Sequence, residues 1–105
     1  MYSVETSVKV VRPQGALTAA TADAFKQEML TAITSSASEV AVDMAAVDSV
    51  DNSGLTAILA GCNTAQRYSK RLSLCDVAPP VRIVLELVQI DRAVSMIDRH
   101  SLQAA

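Results

Sequence analysis

Apolar and polar residues alternate at the start of the chain. Val4, Thr6, Val8 and Val10 fall on one side, and Glu5, Ser7, Lys9 and Val11 on the other. That period of two predicts a strand over 4–12 with one face more buried. Arg12-Pro13-Gln14-Gly15 reads as a turn, and Ala16-Leu17-Thr18 as a short strand returning antiparallel. The period then changes. Phe25, Met29 and Ile33 recur every fourth position, which predicts a helix from about Thr21 to Thr34 with that stripe facing a sheet. Thr21 is its candidate N-cap, and Asp23 lies in its first turn, where negative charge is favoured. Ser35-Ser36-Ala37-Ser38 ends it.

Val40-Ala41-Val42-Asp43-Met44 is nearly unbroken apolar sequence, as in a strand covered on both faces of a parallel sheet. A second helical pattern runs from Leu55 to Arg71, with Leu55, Ile58, Leu59 and Cys62 as its buried stripe; Arg67 and Lys70 read as solvated. Leu72 and Leu74 mark another strand over 71–77. Ala78-Pro79-Pro80 stops it and opens a helix, since proline suits a first turn. Val81, Val84, Leu85 and Val88 form that helix's stripe, with Arg82, Glu86 and Gln89 outward. Residues 93–98 read as the last strand. The predicted order is β-β-α-β-α-β-α-β: one α/β domain over 1–105, with a mixed, mainly parallel sheet of about five strands.

Candidate chemistry is concentrated between the 39–47 run and the Leu55 helix, in Asp48-Ser49-Val50-Asp51-Asn52-Ser53-Gly54-Leu55. A helix start leaves backbone N–H groups unpaired and carries partial positive charge. Asp51, Asn52 and Ser53 are the residue types that satisfy such ends. Gly54 permits close approach of another backbone or a large group. Ser53 is therefore either a helix cap or an accessible hydroxyl where an added anion is tolerated. Ser49 is expected to be an inconsequential loop residue.

Composition narrows the function. Half of the 105 residues are apolar, but Tyr2, Phe25 and Tyr68 are the only aromatics, so the core must be aliphatic. A net charge of −2 and a pI near 5.2 argue against a nucleic-acid surface. No apolar run approaches the length of a membrane span, about 20 residues. The first residues lack the pattern of a secretion signal. Cys62 and Cys75 have no metal-ligand spacing and read as buried free thiols. A cytoplasmic protein is expected. Catalysis lacks its parts. The only histidine is His100, near the end of the chain, and there is no Gly-x-Ser-x-Gly elbow or phosphate-binding glycine loop with lysine. Asp43, Asp48 and Asp51 are more simply capping and solvated groups than a metal site. The expectation is no enzyme, no cofactor and no metal.

Asp51-Asn52-Ser53-Gly54-Leu55, between an apolar strand and an apolar-striped helix, resembles the signature of the STAS domain, and more specifically of bacterial anti-sigma factor antagonists. Pro80-Val81-Arg82-Ile83-Val84-Leu85-Glu86-Leu87 with Ile90-Asp91-Arg92 resembles that family's last-helix segment, and Gly15-Ala16-Leu17 its Gly-x-Leu turn. The resemblance implies helices largely on one side of the sheet. It implies that Ser53 is the phosphorylation site, with Thr18, Asp51, Asn52, Ser53, Gly54, Leu55 and Thr56 forming the partner surface. Its implied partners are an anti-sigma factor of the serine-kinase type and a serine phosphatase, with no nucleic acid or membrane, and with the protein a monomer or weak dimer. The alternative is a STAS scaffold subunit of a signalling or lipid-transport complex that is not phosphorylated. The chain departs from the family pattern at four places. Thr18 replaces an acid, Asn52 replaces the first hydroxyl of a pair, Ser69-Lys70-Arg71 replaces a Gly-Gly, and Val88-Gln89 replaces Thr-Gly or Ser-Gly.

Overall fold

Valine at alternate positions, followed by proline, builds the first strand and then interrupts it. In a computed structural model, which describes residues 7–90 and 94–97, β1 is Val8–Val11 and β2 is Gly15–Leu17. Next come α1 (Ala22–Ile33), β3 (Glu39–Asp43) and β4 (Val47–Val50). The chain continues through α2 (Asn52–Arg67), β5 (Arg71–Cys75), α3 (Pro79–Leu87) and β6 (Ser95–Ile97). Residues 4–6, Asp91, Arg92 and His100 lie outside the described residues.

The α/β class and the parallel sheet of the sequence reading are correct. Two details are not. The first is the antiparallel return of 16–18: β2 runs parallel to β4 instead. The segments β1–β2 and β3–β4 travel side by side in the same direction and bend together. Before the bend, β1 pairs with β3, from Val8↔Glu39 to Val11↔Val42. After it, Leu17 pairs with Val50. Pro13 has no N–H for a ladder, so pairing stops there without reversing the chain. Gly15 resumes it at φ 75°, a left-handed conformation that suits a residue without Cβ, and its N–H donates to the Ala46 carbonyl at 2.8 Å. On the partner segment, Asp43 Oδ1 accepts from the Ala45 N–H and Val47 N–H donates to Met44 O.

The second detail is β4. Val47-Asp48-Ser49-Val50 carries too few apolar residues to read as a strand, yet it completes a two-stranded sheet with β2. Ser49 is thus a strand residue, not a loop residue. The other four strands form a parallel sheet in the order β1-β3-β5-β6.

Val40, Val42 and Leu74, all with no exposed surface, join Phe25, Met29 and Ile58 from α1 and α2 in one aliphatic core. Burial of this kind stabilises by about 25 cal/mol per Å² of apolar area. Val8 and Val10 point out and Val11 points in; among the described strands β1 lies at the edge of its sheet. On α2 the buried face is Gly54, Ala57, Ile58, Gly61, Cys62 and Ala65, so Leu59 lies outside it, 42% exposed. The stripe turns toward small residues because α1 packs there. A Cβ on Gly61 would lie 2.5 Å from the Met29 side chain. On α3, Val81 and Leu85 are buried while Val88 is exposed. Both cysteines are buried, and neither forms a disulfide among the described residues. Burial pushes the Cys62 thiol above its ordinary range, partly offset by a backbone hydrogen bond.

Lys70 is not a solvated residue. Its ammonium donates to the carbonyls of Ser35, at 2.8 Å, and Ala37, fastening the loop after α1 to the entrance of β5. Just before it, α2 ends in a Schellman arrangement. Lys70 N–H donates to Ala65 O, and Ser69 N–H to Gln66 O, with Ser69 left-handed at φ 54°. Beyond α3, Gln89 is left-handed at φ 62°. These are two of the positions where glycine is missing from the family pattern, so the backbone keeps the conformation without the residue that suits it. A non-glycine residue there carries a Cβ clash of about 1–2 kcal/mol, part of which glycine would return through its freer unfolded chain. Ser69→Gly and Gln89→Gly should each stabilise the protein by up to about 1 kcal/mol in urea unfolding; loss of stability in both would contradict this account of the helix ends.

Candidate functional site

The site forms where β4 passes into α2. Asp51, extended at φ −102° and ψ −170°, is the N-cap, and its side chain accepts from Ser53 N–H and Gly54 N–H at 2.8 and 3.2 Å. One carboxylate oxygen therefore serves both amides, and its negative charge sits at the positive end of the helix. Ser53 is not the cap, contrary to one of the two sequence readings. It is the second helical residue, half-buried, and among the described residues its hydroxyl makes no hydrogen bond.

The cap is tied to β2. Asp51 N–H donates to Leu17 O at 3.0 Å. A Cβ built on Gly54 would lie 2.6 Å from that same carbonyl oxygen and 2.8 Å from both Leu17 Cβ and Val50 Cγ1. Gly54 is buried, so the close approach it permits is that of the protein's own backbone rather than of a partner. Leu55 is half-buried and packs on the core.

Ser53, Asn52 and Thr56 form one wall of an open groove of about 340 Å³. The other wall comes from α1 and the residues before it: Ala19, Ala22, Asp23 and Lys26, with Ala57 contributed by α2. Asp51, Asn52 and Thr56 are exposed, and the Thr56 hydroxyl donates to Asn52 O at 2.8 Å. Thr18 does not line the groove. Its hydroxyl accepts from Ala20 N–H at 3.2 Å, and its carbonyl accepts from Thr21 and Ala22 N–H at the start of α1. Thr21 is the N-cap by position but makes no side-chain cap bond; its hydroxyl donates to Ala16 O at 2.7 Å. Asp43, Asp48 and Asp51 do not form a cluster, and no group of three metal-ligating side chains occurs among the described residues. No helix there is long and apolar enough to cross a membrane.

Asp23 and Lys26 escaped the sequence reading as site residues. In the sequence Asp23 is a helix-end charge and Lys26 belongs to no motif. The signal that was available is the spacing Ala19, Ala22, Lys26, a helical row of small residues ending in a charge.

The family model described as Mlab, STAS domain, matches residues 1–98. The chain belongs to this STAS family. No curated protein sequence matches it. The STAS fold is shared with solved structures at low identity. A Thermotoga maritima protein superposes with a TM-score of 0.83 at 21% identity, over 99% of this chain and 90% of that one. The anti-sigma factor antagonist SpoIIAA of Bacillus, unphosphorylated, gives 0.77 at 20%, over 98% and 89%. A sulfate transporter family protein from Wolinella succinogenes gives 0.78 at 17%, over 91% and 80%.

The junction of cap and glycine is open to direct measurement. Asp51→Ala should cost about 1 kcal/mol of stability, within the usual 0.5–2 for losing an N-cap, and Asp51→Asn should recover most of it. Gly54→Ala should cost about 1–3 kcal/mol through overpacking against Leu17. Chemical denaturation of the three variants checks the ordering; a neutral Gly54→Ala would refute the close approach.

Proposed function

We propose that this protein is an anti-sigma factor antagonist controlled by phosphorylation of Ser53. The observation that carries the reading is a hydroxyl with no hydrogen bond among the described residues, placed in the first turn of α2 on the wall of an open groove. A kinase needs a hydroxyl that is reachable and uncommitted. Unmodified, the surface of Asn52, Ser53 and Thr56, flanked by Asp51 and with Thr18 at its edge, binds an anti-sigma factor of the serine-kinase type, releasing a sigma factor to transcribe. That partner phosphorylates Ser53, the complex dissociates, and a serine phosphatase resets the cycle in the cytoplasm. The protein itself performs no catalysis.

The switch is electrostatic. A phosphoserine adds about −1.5 to −2 charge beside the exposed Asp51. Leaving such a charge unpaired in an interface costs roughly 2–5 kcal/mol, about 30-fold to several thousand-fold in affinity. No global rearrangement is required. The likeness to SpoIIAA, solved in both unphosphorylated and phosphorylated forms, supports this reading. A second reading is a STAS subunit of a signalling or lipid-transport assembly that is not phosphorylated. The likeness to a protein of the sulfate transporter family favours it.

The two readings part on one experiment. The partner co-purified from the native host should bind Ser53→Ala as it binds the unmodified protein, and should bind Ser53→Asp at least 30-fold more weakly. Incubated with that partner and ATP, the wild type should gain one phosphate on Ser53 by mass spectrometry. Equal binding of Ser53→Asp would overturn the electrostatic switch, and an unmodified Ser53 would favour the scaffold. Ser49→Ala, at an exposed position of β4, serves as the control.

A further inference from the structure

We propose that Lys26 is the counter-charge of the phosphate on Ser53, holding it within the groove between α1 and α2. The inference rests on the reading of Ser53 as the modified residue and adds how the modified state is stabilised.

A phosphate at a helix start is ordinarily held by the free backbone amides of the first turn. Here that position is occupied. Asp51 Oδ1 already takes the N–H groups of Ser53 and Gly54, and Leu55 N–H donates to Asp51 O. The phosphate therefore arrives beside a carboxylate that has taken two of the first-turn donors. It needs a cation from elsewhere.

The opposite wall supplies one. Lys26 is the single basic side chain lining the groove. It is half-buried, and among the described residues its ammonium has no hydrogen bond and no ion pair. The other lysine described beside a loop, Lys70, is already committed to two carbonyls. The apolar part of the groove's lining is Ala19, Ala22 and Ala57, all short side chains. The charged groups around the phosphate are thus Lys26 and Asp23 from α1, with Asp51 at the entrance to α2. Two of the three are repulsive, so the one attraction decides whether the dianion is tolerated in the groove. An opposite charge within about 4–6 Å favours the charged form of an acid. It should also make a short charge-assisted hydrogen bond to a phosphate oxygen.

The test does not require a kinase or a partner. Protein carrying phosphoserine at position 53, installed during synthesis, is titrated by ³¹P NMR through the second phosphate ionisation, ordinarily near pKa 6. With Lys26 present the midpoint should lie about half a unit to one unit lower than in Lys26→Gln. Lys26→Arg, which keeps the charge, should restore the wild-type midpoint. Lys9→Gln, on exposed β1, should leave it in place. The Lys26 ammonium makes no bond in the unmodified fold, so the glutamine variant should fold as the wild type does. A Lys26→Gln midpoint equal to that of wild type, or an arginine variant that behaves like the glutamine one, overturns the clamp while leaving Ser53 as a kinase target. Failure of a kinase to modify Ser53 would remove the switch and leave the titration result standing.

Discussion

The Leu17 carbonyl is the point on which the rest of the site depends. It ends β2, accepts the backbone N–H of the α2 cap at 3.0 Å, and leaves no room for a Cβ on Gly54. These constraints fix where α2 starts and how closely it lies on the small sheet. With the helix start fixed, Ser53 is held on the side facing α1, and a groove with walls from two helices follows. A buried carbonyl must find a donor or lose roughly 1–3 kcal/mol, so the junction is enforced by hydrogen-bond accounting as well as by shape.

The same junction explains how a small chemical event can act without refolding the domain. The first-turn amides are satisfied by Asp51 before any modification, so the helix start does not wait for a phosphate. Under the proposed switch, a modified serine changes the charge of one groove and little else.

Elsewhere the fold tolerates residues that its backbone does not favour. Ser69 and Gln89 hold left-handed conformations at the ends of α2 and α3. In each case the helix end is tied down: Lys70 anchors the loop beyond α2, and buried Ile90 follows α3. A local cost of about 1–2 kcal/mol is small against the burial of an aliphatic core, and so it can persist.

The residues by themselves determined the helices and the α/β class. Four-residue spacing of Phe25, Met29 and Ile33, the proline pair at 79–80 and the unbroken apolar run at 40–44 are local signals, carried by neighbours in the chain. The Asp51-to-Leu55 stretch likewise marked the start of a helix and the serine beside it. Tertiary structure alone decided what depended on distant partners. Val47–Val50 is a strand only because β2 lies alongside, and 15–17 runs parallel because the chain bends at Pro13 instead of reversing. Leu59 is exposed because α1 takes the glycine and alanine face of α2. Lys26 and Ser53 line one groove because α1 and α2, which begin 30 residues apart at Ala22 and Asn52, pack together. Periodicity reports which face of an element is buried, not which element covers it, so a groove made by two helices has no signature in either one.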